Sequence, residues 1–328
     1  MILFSYNRAR DIRSAVGAAS EANAYFIGGG TNLLDLMKAG VEKPTRLVDL
    51  NHLGLDKIEA SKDGGVRIGA SARNSDVANH SLIRNSYPLL SQAFLAGASP
   101  QLRNMATVGG NLMQRTRCDY FVDIGFEHCN KRKPGSGCAA LSGWNRTHAI
   151  LGASQACVAV NPSDMNVALV ALDAVINVHG PDGERQIRAV DFHRLPGDHP
   201  EIDTTLKHGE LITSVDLPKS SATRNAHYLK LRERSSYAFA LVSVAVALNV
   251  SGQTINDGRI VLGGVAHKPW FAEKASQSLR GVSLRNFDAA KIAEQAVEGA
   301  QPLSQNAYKI PLAKSAVERA LRLSMRNV

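Results

Sequence analysis

The stretch Ala24-Tyr25-Phe26-Ile27-Gly28-Gly29-Gly30-Thr31-Asn32-Leu33-Leu34-Asp35-Leu36-Met37-Lys38 reads as a short buried strand, a glycine loop and a helix. Glycine at such a junction permits positive φ and lets backbone N–H groups approach a ligand closely. The helix start adds a preference for negative charge. The loop therefore reads as a phosphate or pyrophosphate cradle, beside the plainer reading of a tight strand–helix turn. It is neither a GxGxxG fingerprint nor a P-loop ending in Gly-Lys-Ser/Thr, which argues against a nicotinamide Rossmann domain and an NTPase.

Working outward, Ile2 to Tyr6 reads as a strand, Ala9 to Ala22 as a helix, and Arg46 to Leu50, Asp56 to Ala60 and Val66 to Ala70 as further strands. Asn74 is placed to cap a helix, and another helix is expected over Leu89 to Ala98. Gln101 through Leu112 then carries a second glycine turn, Thr107-Val108-Gly109-Gly110-Asn111. Two such turns can clamp a diphosphate from both sides. The hydroxyls of Thr31 and Thr107 and the amides of Asn32 and Asn111 would act as side-chain donors, with Arg103 adding charge.

All four cysteines, Cys118, Cys129, Cys138 and Cys157, follow in one irregular segment around Pro134-Gly135-Ser136-Gly137. A segment of that length without periodicity marks a functional insert. The spacing C-x10-C-x8-C-x18-C suits neither a zinc ribbon nor a ferredoxin run. From spacing alone an iron–sulfur cluster, zinc, and free or disulfide-paired thiols all remain open. His128 and His148 lie in the same insert.

Strand and helix signals resume at Val158 to Val160, Met165 to Ala174, Ala174 to Val178, Arg185 to Val190 and Leu211 to Leu217. Asp164 is placed to cap a helix. A polar link over Lys219 to Asn225 marks a domain boundary, set between residues 222 and 223. Beyond it come strand signals at Ala226 to Arg232, Phe239 to Val250 and Arg259 to Ala266, then helices at Ala289 to Gly299 and Leu312 to Leu323, an α/β layer domain. Lys230 sits mid-strand, where a solvent-facing role is the plain expectation. The net charge is +9 and aromatics make up 5%, with the positive charge scattered, which fits a solvated basic surface better than a nucleic-acid groove. A basic zinc protein that meets nucleic acid is the remote alternative. No apolar run is long enough to span a bilayer, and the N-terminus does not read as a signal peptide. The expected compartment is the cytoplasm, or the periplasm by co-export with a signal-bearing partner.

Together, Phe26 through Leu33, Gln101 through Leu112 and Pro162-Ser163-Asp164, in that order and spacing, resemble the flavin-binding (medium) subunit of the xanthine dehydrogenase and molybdenum hydroxylase family. The resemblance covers essentially the whole chain. Four cysteines between the second loop and the Ser-Asp element depart from most such subunits. That insert is similar to the one holding a [4Fe–4S] cluster in the flavin subunits of 4-hydroxybenzoyl-CoA reductase and of a periplasmic bacterial aldehyde oxidoreductase. Arg115-Thr116-Arg117-Cys118 and Tyr237-Ala238-Phe239-Ala240-Leu241-Val242-Ser243-Val244 look closest to the latter.

The resemblance implies an α+β protein: a two-subdomain FAD-binding domain of the PCMH type over residues 1–222, with the insert at about 113–158, and a C-terminal domain of the CO dehydrogenase flavoprotein type over 223–328. It implies FAD held by Ile27, Gly28, Gly29, Gly30, Thr31, Asn32 and Leu33 on one side and Thr107, Val108, Gly109, Gly110 and Asn111 on the other. Asp164 would reach the polyol, Ile212 the ring through its backbone, and Lys230 the polar edge of the flavin. Cys118, Cys129, Cys138 and Cys157 would ligate the cluster. The implied partners are a large subunit carrying the molybdenum cofactor, a small [2Fe–2S] subunit and an external electron acceptor, with aldehydes as the substrate class. A reductase of the aromatic-CoA type is the alternative.

Overall fold

The computed structural model describes residues 1–219 and 225–325; the boundary expected between residues 222 and 223 lies outside them. Three sheets organise the chain. The first is parallel, with Arg46–Asp49 between Ser5–Arg8 and Ala24–Ile27. The second is antiparallel and runs Ile58–Ala60, Val66–Gly69, Leu211–Leu217, Val175–Gly180, Gly183–Arg188. The third is also antiparallel, running Trp270–Phe271, Thr254–Gly263, Val242–Ser251, Ala226–Leu231, with Val282–Ser283 pairing beside the start of Thr254–Gly263. The layer read from the sequence as α/β is thus an antiparallel sheet backed by helices.

Two elements explain how the sheets join. The helix Asp164–Ala171 is buried on every side, which is why its sequence shows no polar face. The strand Val242–Ser251 is buried from Val242 through Leu248. Its Val244, Val246 and Leu248 face one core with the helices Ala289–Ala296 and Lys309–Ser324, while Ala245 and Ala247 face the other core with the buried helix. A strand covered on both faces reads as an unbroken apolar run rather than an alternating one.

Several sequence boundaries are corrected by hydrogen bonding. The first strand is Ser5–Arg8, not Ile2 to Tyr6, because its register is set by the parallel partner Arg46–Asp49. The helix after it begins at Ile12, where Asp11 accepts from the Ser14 backbone N–H at 2.7 Å in a capping box. Val158 to Val160 forms no strand. The Gln101 to Leu112 stretch is not one turn but two short helices, Pro100–Met105 and Val108–Leu112, capped by Ser99 and Thr107.

The cysteine segment is tied to the C-terminal helices by a wholly buried lysine. The Lys309 ammonium donates to the Thr147, His148 and Gly264 carbonyls at 3.0, 2.9 and 2.5 Å. Asn306 donates to the His148 and Ala149 carbonyls, and Asn145 meets Ser304 and Gln305. Lys309→Met removes the lysine's donors from the Thr147 and Gly264 carbonyls in a dry site, while His148 keeps Asn306. We expect it to cost at least ~2 kcal/mol of stability, read as a lowered thermal midpoint. A midpoint equal to that of the unaltered protein would show that the clasp is dispensable.

Candidate functional site

The two loops meet because the first carries no side chain at the point of contact. A Cβ on Gly29 would sit 1.9 Å from the Met105 carbonyl oxygen, and one on Gly28 would sit 2.8 Å from Thr107 Oγ1. Arg73 staples them: its guanidinium donates to the Met105 carbonyl and to Asn51 Oδ1, and Asn51 Nδ2 donates to the Gly28 carbonyl at 3.2 Å. Sequence reasoning did not single out Arg73 or Asn51, and nothing local marks them.

The loops offer different donors. The backbone N–H groups of Gly29, Gly30, Thr31 and Asn32 meet no acceptor among the described residues. In the second loop the corresponding groups are spent, which corrects the expectation of two equal cradles. Val108 and Gly109 donate to the Ala72 and Ala70 carbonyls at 3.0 and 2.8 Å, and Gly110 to Thr107 Oγ1 at 3.2 Å. The Val108 side chain belongs to the core. The second loop therefore contributes side chains. Asn111 Oδ1 accepts from Ser163 Oγ at 2.8 Å and from Gln114, and its NH2 meets no acceptor among the described residues. Asn32 Oδ1 accepts from the Arg115 backbone N–H at 2.9 Å, while its Nδ2 is buried without any partner. A buried, orphaned amide donor beside four free backbone donors is the chemistry of an anion site.

A cleft runs past this throat in two limbs of about 730 Å³ and 630 Å³. Thr31, Asn32, Gly110, Asn161 and Pro162 are among the residues that line both limbs. Ile27, Gly28, Gly29, Gly30, Leu33, Thr107, Gly109 and Ile212 line the smaller limb only; Asn111 and Asp164 line the larger only. A ligand with two bulky ends joined by a diphosphate suits this shape, and FAD is such a ligand.

Asp164 is the first residue of its helix; the cap is Ser163, whose Oγ accepts from the Asn166 N–H. This corrects the capping role given to Asp164. Its carboxylate takes the Lys230 ammonium at 2.8 Å and the Tyr228 hydroxyl at 2.6 Å. Burial and the carboxylate hold the Tyr228 phenol well above its ordinary pKa, so it remains a donor. Lys230 is not the solvent-facing lysine of the plain expectation: its side chain is 4% exposed, it also donates to the Ala96 carbonyl, and it lines neither limb.

The four cysteines, far apart in sequence, line one small pocket of about 10 Å³ with Lys131 and His128. None is in a disulfide. Among the described residues no three His, Cys, Asp or Glu side chains converge tightly enough to hold a single metal ion. Burial pushes the Cys118 thiol up to about 12 and Cys157 up to about 11, with Lys131 opposing it at Cys157. Thiols so placed stay protonated unless a bound metal supplies positive charge. Cys118 Sγ lies 3.1 Å from His148 Nε2, and it lines both this pocket and the larger limb of the cleft.

One charge network runs from the throat to the thiols. Arg115, whose N–H fixes Asn32, pairs with Glu42 and, at 2.8 Å, with Asp203; Asp203 takes Lys131 at 2.5 Å. Burial alone would raise Asp203, but Lys131 and Arg115 outweigh it and bring it to about 2.

Comparison with known proteins gives the same outline. The family described as "FAD binding domain in molybdopterin dehydrogenase" matches residues 3–220, and the "CO dehydrogenase flavoprotein C-terminal domain" matches residues 227–323. The chain is 49% identical over 323 residues to the aldehyde oxidoreductase FAD-binding subunit of Escherichia coli, covering 98% of each. It is 27% identical to the glyceraldehyde dehydrogenase medium chain of Sulfolobus acidocaldarius, covering 92% of this chain and 90% of that one. Among solved structures, a carbon monoxide dehydrogenase from Hydrogenophaga pseudoflava superposes with a TM-score of 0.75 at 25% identity, covering 99% and 98%.

Two outcomes are expected here. Gly29→Ala should force the loops apart and abolish flavin retention, read from visible absorbance. Gly110→Ala, whose Cβ would meet only Thr107 Oγ1 at 3.0 Å, should retain more. Equal retention would show that the loop contact does not govern binding. Lys230→Met should cost roughly 3–5 kcal/mol, because it strands the Asp164 carboxylate in a buried site; an unaltered denaturant midpoint would refute that.

Proposed function

The chain belongs to the FAD-binding medium subunits of the molybdenum hydroxylase family, and on that premise we propose that it carries FAD and a [4Fe–4S] cluster in an aldehyde-oxidising enzyme. In this reading it takes electrons from a [2Fe–2S] subunit, itself served by a large molybdenum-cofactor subunit, and hands them to an external acceptor. The organic substrate is bound elsewhere. The printed name of the 49%-identical relative supports aldehydes as the substrate class. Among the described residues no helix is long and apolar enough to cross a membrane.

FAD, when bound, supplies the redox chemistry; the protein holds and tunes it. The free N–H groups of Gly29 to Asn32, the Asn32 and Asn111 amides and the Thr31 and Thr107 hydroxyls would hold the diphosphate at the throat. The larger limb, which adjoins Cys118 and carries Asp164, would take the flavin ring. Asp164 would face the polyol, with Lys230 fixing the carboxylate from behind. Ile212 lies in the smaller limb, which in this proposal moves it from the ring to the adenosine end. Cys118, Cys129, Cys138 and Cys157 would ligate the cluster, their spread positions suiting an object larger than one ion. The two-domain division at residues 222 and 223 is part of the same proposal.

The observation that carries the reading is Cys118, one wall shared by the cleft and the thiol pocket. Protein purified anaerobically should contain about four irons and about four sulfides per chain. Replacing any of the four cysteines with Ser should degrade the cluster, since no fifth cysteine exists, while FAD largely remains. One zinc and no iron, or thiols that titrate only after reduction, would overturn the cluster.

A further inference from the structure

Of the three arginines in the wall of the larger limb, Arg103, Arg117 and Arg234, two are already engaged. Behind the wall, Lys230 spends its charge on Asp164, which lines the limb. Arg103 donates to the Gly97 carbonyl at 2.7 Å, Arg234 to the Tyr237 carbonyl at 3.0 Å, and Glu233 pairs with Arg146. Arg117 differs. It lines the limb directly beside Cys118, and its guanidinium lies 5.3 Å over the Phe239 ring. It makes no hydrogen bond or ion pair with any described residue. A part-buried guanidinium with five N–H donors and no acceptor among the described residues is an anion-binding group without its anion.

We propose that Arg117 is the cation that meets the reduced flavin, the role that family resemblance would give to Lys230. Uptake of two electrons and one proton, from the oxidation the family catalyses, leaves the ring one net negative charge, spread over N1 and the C2 carbonyl. The Arg117 fork donates to that edge and compensates the charge at low dielectric, where the attraction is strong. Phe239 holds the guanidinium plane from the other side. The Lys230–Asp164 pair, with no net charge, contributes little to the balance. This inference rests on the flavin ring occupying the larger limb.

The test uses the full chain in its complex. FAD is removed, and the affinities for oxidised FAD and for dithionite-reduced FAD are measured separately, together with the absorbance spectrum of the bound oxidised flavin. In Arg117→Gln, affinity for reduced FAD should fall at least tenfold more than for oxidised FAD, a lowering of the flavin potential by about 30 mV for a two-electron couple. Arg117→Lys, which keeps the charge, should recover most of it. Equal loss of both forms, or equal effects of the Gln and Lys variants, overturns the role of the charge. A shifted flavin spectrum with an unaltered affinity ratio overturns this inference but leaves the ring in the larger limb. No change in either overturns the ring placement as well.

Discussion

The contact between Gly29 and the Met105 carbonyl sets the geometry of the whole binding region. Two segments some seventy-five residues apart touch backbone to backbone, which only an absent side chain allows. Arg73 and Asn51 then fix the contact with hydrogen bonds to both sides. Because the loops close on each other there, the space beyond them splits into two limbs with donors at the join. The first loop can keep its backbone N–H groups free because the second has already spent its own on residues 70 and 72. One loop is anchored so that the other can bind.

Two sets of paired charges tie distant parts of this molecule together. Asp164 with Lys230 and Tyr228 ties the start of the central buried helix to the C-terminal sheet. Arg115, Glu42, Asp203 and Lys131 tie the first loop to the cysteine segment. Such pairs contribute less to stability than their charges imply, since desolvation offsets the attraction. What they do supply is a fixed arrangement: the amide of Asn32 and the backbone around Cys129 are held by one connected set of groups.

The sequence made the local parts of this arrangement legible. Gly28 to Asn32 was identifiable because glycine carries its conformational meaning in itself, and Leu211 to Leu217 because a strand of that composition has one reading. Family resemblance supplied the cofactors and most of the binding residues. Pairings across the chain stayed hidden: Lys230 looked solvent-facing because nothing near it announces Asp164, 66 positions away. The Thr107 turn looked like a second cradle because its hydrogen bonds to Ala70 and Ala72 depend on the fold. The cysteine spacing could not choose among ligand types, since it is the tertiary fold that brings the four thiols to one pocket.

The clasp on the cysteine segment also orders events in time. Carbonyls of residues 147–149 are gripped by Asn306 and Lys309, which lie near the end of the 328-residue chain. During synthesis the N-terminal modules emerge and pack first, whereas the segment bearing Cys118 to Cys157 waits for a grip made 158 residues after His148. A chain truncated before Asn306 would therefore present the segment around His148, whose ring lies against Cys118, without the hydrogen bonds that hold it.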